Sequence, residues 1–493
     1  MIKDLRDWLK EVERIGELKS IPQETDWDQE MTAITYMVDK GSVEKAPAIL
    51  FENIKDYGGN CRVLFNMFGP SANRIAIAMG MPSGLSIRDY ITLAREKIGK
   101  RVEPSEVNPE KAPINENTVP GGEIDLTRFP TPKFWPKDGG RYLGTGDVVI
   151  TRDPGTGFLN LGTYRVMLHN KNEVGLYISP GKDARIHLEE YWRRGQAMEV
   201  AICLGIDPTL MIVAGWGYPK NISEYEFAGG IKGEPVEVVK GLVTGLLIPA
   251  RAEIVIEGVV RPGNTKPEGP FGEFTGYYGR PETQTPVVEI KALRFRNNPI
   301  ITSALMAEYP ACEHAVMVSI IKSALILNDL EKLGIPGIKS VYAYPAAAAS
   351  YGVTVVSLEQ KYAGHAAQVL SLVGQVVAGG YYAKWIIAVD EDVDIFDFNQ
   401  VLWAMSTRCN PVEDIDIQRN TWSTYLDPTQ NPPEERPYGS KAYINACREH
   451  RYIQQFARRT KLSKEVYQRV VSRWKELGLP GEPFPIDSFE GGD

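Results

Sequence analysis

Glu268 and Glu273 bracket a Gly-Pro-Phe-Gly kink in EGPFGEFTGYYG, residues 268–279. On a flat strand two side chains at this spacing point to opposite faces. Gly269, Pro270 and Gly272 break that flatness, so both carboxylates can converge on one cavity. If the strand resumes beyond the kink, Glu273, Thr275 and Tyr277 share a face. Paired carboxylates with unequal neighbours separate in pKa, one staying an anion and one holding a proton near neutral pH, which equips a site for general acid catalysis. Spacing alone also describes two surface glutamates at a hairpin corner, the commoner arrangement.

Three further stretches carry charged or polar groups in suggestive places. In NLGTYR, Asn160–Arg165, an arginine among β-formers offers a rigid fork to a carboxylate or phosphate; Asn160 and Arg165 fall on opposite strand faces unless Gly162 allows a bulge. In SPGKDARIHLEE, Asp183 can cap a helix whose N-terminus attracts anions, and Lys182 beside it suits a phosphate or simple solvation in a turn. In IKGEP, Glu234 follows a helix and, taken alone, is an ordinary exposed glutamate. The acidic run DEDVDIFD, residues 390–397, fits a structural role, with Asp397 and Gln400 capping the next helix, better than a Mg²⁺ site. His314 and His365 could serve a site, while His169 reads as a turn residue and His187 as mid-helix. HExxH, GxSxG, Walker and GxGxxG patterns are missing.

The elements that must hold these residues change character along the chain. Residues 1–112 read as mixed α and β: an opening amphipathic helix, a second helix near Trp27–Val38, and the strands AILFENI and RVLFNMF. The Pro- and Asn-rich stretch 102–123 reads as a linker. Residues 113–305 carry closely spaced β segments, namely DVVITRD, LNLGTYRVMLHN, VGLYIS, MEVAICLG, TLMIVAGW, AEIVIEGVV and PVVEIKALRFR, which predict an antiparallel sheet or barrel. Two helices interrupt them, one ending at Gly195 and one opened by a Ser223–Glu226 capping box. From residue 306 to 493 strand and helix alternate, predicting a mostly parallel sheet, with a polar helical tail from about 448.

Composition narrows the function classes. A net charge of −8 and a pI near 5.5 leave no basic excess for a nucleic-acid backbone. The five cysteines, without CxxC spacing, fit reduced thiols of the cytoplasm, and no stretch has the ~20 apolar residues of a membrane span. The chain is long enough for two or three domains.

Taken in order, DLRDWLKEVERIGELK, PAILFENIK, NLGTYR, the GxxxGEP around Glu234, EGPFGEFTGYY, RNNPI and DEDVDIFDFNQVLWAMSTR resemble the UbiD family of reversible decarboxylases, which act on hydroxybenzoic, polyprenyl-hydroxybenzoic and ferulic acids. The resemblance covers nearly the whole chain. It implies an α/β (α+β) protein with a central split β-barrel that binds prenylated FMN, an N-terminal α/β region and a C-terminal α/β oligomerisation domain. It implies Mn²⁺ and K⁺ at the cofactor phosphate, a flavin prenyltransferase as cofactor supplier, an aromatic or α,β-unsaturated acid and CO2 as small-molecule partners, and a homodimer or hexamer. Loss of CO2 from an sp² carbon needs an electron sink, which the cofactor supplies. By matching motif, Arg165, Glu268 and Glu273 become the catalytic set, with Glu273 the proton donor and Glu268 paired with Arg165. Asn160, Gly162, Thr163, Tyr164, Arg165, Lys182 and Glu234 become cofactor contacts, with Asn160 and Glu234 on the metal. In the register assumed, Lys182 replaces a histidine ligand of many relatives, which puts the divalent ion in question. Phe274, Ile338 and Tyr344 are expected at the substrate, Tyr344 replacing a histidine placed for a phenol. Carboxylation in the reverse direction, an aryl thioester substrate, or a non-catalytic flavin-binding subunit are the alternatives. A glycoside hydrolase would use the two glutamates and leave Arg165, Asn160 and Glu234 idle.

Overall fold

Alternating side chains in the central strands serve two cores at once. Val149, Val200, Ile202, Ile254 and Ile256 pack into one cluster, while their neighbours Val148, Ile150, Ala201, Cys203 and Val255 pack into another. A strand buried on both faces is the consequence, and near-continuous apolar runs encode it. These strands belong to a curled antiparallel sheet in the order Arg141–Gly144, Arg165–Leu168, Glu173–Tyr177, Thr283–Phe295, Ile254–Glu268, Met198–Leu204, Asp147–Arg152, Leu159–Gly162, with Asn117–Val119 added beside Thr283–Phe295. The chain is thus mixed α/β around a half-barrel. The computed structural model describes residues 2–43, 46–217, 222–430, 432, 435–486 and 489.

LNLGTYRVMLHN is two strands rather than one. Leu159–Gly162 is the last strand of the order and Arg165–Leu168 the second, so Gly162–Arg165 carries the chain from one end of the sheet to the other. TLMIVAGW, expected as a strand, is the helix Pro208–Ala214: Asp207 accepts from the Thr209 N–H and Pro208 stands in the first turn. An apolar run carries no period, and the Asp-Pro start decides for helix. Strand does not resume after the kink either; Ile254–Glu268 ends at Glu268 and a turn-rich loop leads to Thr283, leaving Tyr277 exposed.

The N-terminal sheet joins Leu18–Thr25, Ala48–Ile54, Arg62–Phe65 and Ile300–Ser303. Its opening helix, Leu5–Arg14, is capped by Asp4 and buries Leu5, Trp8, Leu9 and Val12, and the second helix runs Glu30–Gly41. The stretch read as a linker is built of short 3-10 turns and the paired strands Ser105–Glu106 and Asn117–Val119. In the C-terminal sheet Val353–Leu358, Trp385–Asp390 and Gly439–Ala446 run parallel, flanked by the antiparallel Ile338–Ala343 and Ile415–Thr421. The acidic run is structural: Asp390 and Asp392 bind Arg408, Asp394 binds Arg88, and Asp397 caps Phe398–Arg408.

Residues Met1–Cys447 form one compact unit, and Arg448–Asp493 a second containing the helix Lys464–Arg473. Among the described residues no two cysteines are joined by a disulfide, and no helix is long and apolar enough to cross a membrane.

Candidate active site

The kink brings the two carboxylates onto one guanidinium. Glu268 is the last residue of its strand and Arg165 the first of its own. Arg165 grips Glu268 with a fork, Nε to Oε1 at 2.8 Å and Nη2 to Oε2 at 3.0 Å, and donates from Nη1 to Glu273 Oε1 at 2.6 Å. Tyr142 donates its hydroxyl to Glu268 Oε1 at 3.1 Å, so both oxygens of Glu268 are engaged. Oε2 of Glu273 has no partner among the described residues. The guanidinium lies over the rings of Tyr177 and Phe271, 4.7 and 5.0 Å from their centres.

The loop is held by its own backbone and one acid. Glu273 N–H donates to the Tyr277 carbonyl and Gly279 N–H to that of Phe271. Asp138 accepts from the N–H groups of Trp135 and Gly272 at 2.9 and 3.0 Å. A Cβ on Gly272 would lie 2.1 Å from the Trp135 ring, so only glycine lets the loop pass. Gly269, at φ 87°, makes the turn out of the strand.

Burial sets the chemistry of the trio. It pushes the Glu273 carboxyl up to about 7; Arg165 pulls it down, and the charges of Glu268 and Asp138 push it up again. Arg165 is held charged, since Glu268 and Glu273 outweigh the cost of burying it. One carboxyl clamped in an ion pair beside another with a loose oxygen and a raised pKa is an arrangement able to hold and give a proton near neutral pH.

Glu273 lines a cleft of about 280 Å³ whose wall includes Phe274, His314, Tyr351 and Tyr381. A second cavity of about 160 Å³ beside Arg165 shares Thr163, Tyr164, Lys182, Glu273 and Met306 with it. Asn160, Gly162 and Asp183 line the main cleft. Burial pushes the His314 imidazole down to about 4, so it is neutral.

The remaining expected residues divide. Phe274 is in the cleft wall. Ile338 opens an edge strand and packs on the core, and Tyr344 donates its hydroxyl to the Ile395 carbonyl and packs on Tyr342, so neither reaches the cleft. Ile338 begins the outer strand of the C-terminal sheet and Tyr344 directly follows its end, which sequence adjacency could not show. Glu234 also stays away: it follows the C-terminal end of the helix Glu224–Lys232 and lines a small separate cavity with Lys232 and Asp207. The acid beside Asn160 is Glu224, at the opposite end of that helix, about 12 Å from Lys232 by helical rise. Its Oε2 accepts the Leu161 N–H at 2.8 Å, and burial, with the charge of Asp183, pushes it up to about 8.

Asp183 is the first residue of the helix Asp183–Arg193 rather than its cap; Lys182 occupies the cap position without a capping bond. The Lys182 ammonium lies 4.8 Å from the Tyr381 ring centre and has no hydrogen-bonding or ionic partner among the described residues. Ser223 caps Glu224–Lys232 by accepting the Tyr225 N–H. His187 is buried against Thr151, 3.0 Å away, and takes no part.

Three family models match in succession: the UbiD N-terminal domain over residues 9–94, the 3-octaprenyl-4-hydroxybenzoate carboxy-lyase Rift-related domain over 105–309 and the C-terminal domain of that carboxy-lyase over 315–446. The closed vanillic acid decarboxylase of Sedimentibacter hydroxybenzoicus superposes with a TM-score of 0.86 at 29% identity, covering 97% of this chain and 99% of that one. The UbiD-class enzyme HmfF of Pelotomaculum thermopropionicum, in an evolved dimeric form with prFMN, gives 0.79 at 27% identity, covering 93% and 97%. The apo 3,4-dihydroxybenzoic acid decarboxylase of Klebsiella pneumoniae gives 0.79 at 26%, covering 93% and 97%. Fold and site together define a carboxy-lyase. The chain belongs to the UbiD family.

Proposed function

We propose that the protein decarboxylates an aromatic acid with prenylated FMN, using Glu273 as the proton donor, and that the same site runs the reaction in reverse when CO2 is abundant. The observation that carries this reading is Glu273 itself, with a loose oxygen on the cleft and a carboxyl pushed up to about 7. Neighbours solved with prFMN or named for vanillic and dihydroxybenzoic acids support the cofactor and the substrate class.

The residues present fit the cofactor. The linked cavities are walled by flat aromatic rings and methionines. Among the described residues the Trp216 indole N–H and the Tyr177 hydroxyl are buried without partners, and the Lys182 ammonium waits at a helix N-terminus, where a phosphate is favoured. Bound there, the modified flavin would supply the electron sink for the carbon that loses CO2. Arg165 pairs with both oxygens of Glu268 and, by donating to Glu273 Oε1, leaves Oε2 to carry the proton. The donor hands that proton to the carbon that CO2 leaves, and its anion is then held by Arg165. Phe274 and Tyr351 exclude water from that transfer.

For the divalent ion we infer the set Asn160, Asp183 and Glu224 in place of Asn160 and Glu234. The Asn160 amide donates to the Tyr164 hydroxyl, which leaves its carbonyl oxygen to ligate. A buried Glu224 carboxyl whose pKa is raised by burial and by the neighbouring Asp183 charge, in an all-oxygen donor set, suits Mn²⁺ or Mg²⁺. Among the described residues no group of three or more His, Cys, Asp or Glu side chains could hold a metal ion, and this set counts two acids and an amide. Glu224→Ala should weaken divalent-ion binding by at least about 10-fold in metal analysis of the loaded protein. Glu234→Ala should leave it unchanged, and the opposite pattern would restore the sequence-based assignment.

The reading as a whole is tested by co-expression with a flavin prenyltransferase, purification without oxygen, and a screen of aryl and cinnamic acids for CO2 release. A loaded protein that releases CO2 from none of them would refute it. The same preparation tests the expected oligomerisation through residues 306–493 and the domain boundaries near 112 and 305.

A further inference from the structure

The aromatic wall of the cleft stands on backbone that L residues avoid. Ala348, Ala349 and Ser350 take φ values of 46°, 52° and 70° in succession, each in the left-handed region and each at a steric cost. The turn delivers Tyr351, whose ring centre lies 5.5 Å from that of Phe274 and 6.0 Å from that of His314. Such backbone persists only where its surroundings over-determine it. Ser350 Oγ donates to the Ala315 carbonyl at 2.8 Å. Lys322, from the middle of the helix Ala315–Lys332, donates from Nζ to the carbonyls of Ser350 and Tyr351 at 3.1 and 3.0 Å.

Lys322 is 0% exposed, and no carboxylate pairs with it among the described residues. An ammonium buried without a counter-charge is among the costliest groups a core can hold. Burial and the charge of Lys441 push it down to about 7, and a neutral amine still has two N–H groups for the two carbonyls. Lys441 repeats the arrangement: it is buried, and its Nζ donates to the carbonyls of Gly374 and Gly380, both at 2.6 Å. Tyr381 and Tyr382 follow Gly380 directly, Tyr382 at φ 53°, and the rings of Tyr351 and Tyr381 lie 5.8 Å apart.

We propose that Lys322 and Lys441 are positioning residues: each clips a loop whose tyrosines wall the cleft, and together they set the width of the slot that takes the planar acid. This rests on the aryl-acid reading above. Neither lysine touches the trio of Arg165, Glu268 and Glu273, so their removal should alter how the substrate is held rather than how the proton is given.

In the cofactor-loaded enzyme Lys322→Met should keep its fold and flavin absorbance while KM for the best aryl acid rises about 10-fold and kcat changes less than about twofold. Ala349→Gly admits the left-handed turn without strain and, combined with Lys322→Met, should cut that rise to below about threefold. A role confined to general stability gives no such rescue. KM within about twofold of the wild type in folded Lys322→Met overturns the proposal. Should that variant not fold, Lys322→Gln and Lys441→Met carry the same test, and unchanged KM in both overturns it. The near-ultraviolet circular dichroism of the tyrosine band reads the clamp without turnover: it should weaken in the lysine variants and recover with Ala349→Gly. If the wild type turns over no aryl acid, the functional reading fails while this band still decides the clamp, and an unchanged band overturns it.

Discussion

Glu273→Gln should give a folded, cofactor-loaded protein whose turnover falls by roughly 10²- to 10⁴-fold, the share that a positioned acid supplies. The substitution keeps the shape and an acceptor for the Arg165 N–H while removing the only proton the group can give. Exchange of labelled CO2 into the substrate should fall with turnover. In the wild type the donor must be protonated, so kcat/KM of the free enzyme should decline as pH rises through about 7, near the raised value of Glu273. The same proton affects folding: burial raises this carboxyl from its ordinary 4.5, so the native state holds the proton more tightly and loses stability as pH climbs from 4.5 to about 7. A Glu273→Gln enzyme that keeps turnover within about threefold of the wild type, or keeps the alkaline decline, would assign the donor elsewhere.

Arg165→Met should be costly twice over. It leaves Glu268, 1% exposed, and Glu273, 7% exposed, without their cation. Removing one partner of a buried ion pair costs about 3–5 kcal/mol, because the remaining charge is stranded. A clear drop in thermal midpoint and a loss of turnover of at least about 100-fold are the expected results. Adding Glu268→Gln removes the stranded charge and should recover most of the stability but none of the activity. A double variant as unstable as Arg165→Met would mean that packing against Tyr177 and Phe271, rather than charge, holds the centre together.

Glu268, Glu273 and Arg165 were legible as a set only through the family resemblance: the kink let the two carboxylates converge, but spacing alone described a hairpin corner and nothing local joined Arg165 to them. FNQVLWAMSTR and AILFENI announced their helix and strand by period, and the structure places them at Phe398–Arg408 and Ala48–Ile54. Glu224 was not legible as a site residue. It opens a short helix beside its cap, and only the pairing of Leu159–Gly162 with Asp147–Arg152, distant in sequence, brings Leu161 against it. Tyr351 and Tyr381 were hidden for a related reason, since they reach the cleft from loops beside the C-terminal sheet, far along the chain from Glu273, whereas His314 was already a candidate in the sequence. Lys182 and Asp183 show the smallest failure, one residue of register at a helix start. There a cap and the first helical residue exchange roles, and with them the choice between a phosphate partner and a metal ligand.

The segment Gly162–Arg165 joins the first and last parts of the strand order, and no ladder bonds link Arg141–Gly144 to Leu159–Gly162 among the described residues. Asn160, in the last strand, and Arg165, at the start of the second, are five residues apart in the chain yet near opposite ends of the strand order. The curl of the sheet, and not its ladder, is what sets these two side chains at adjoining cavities.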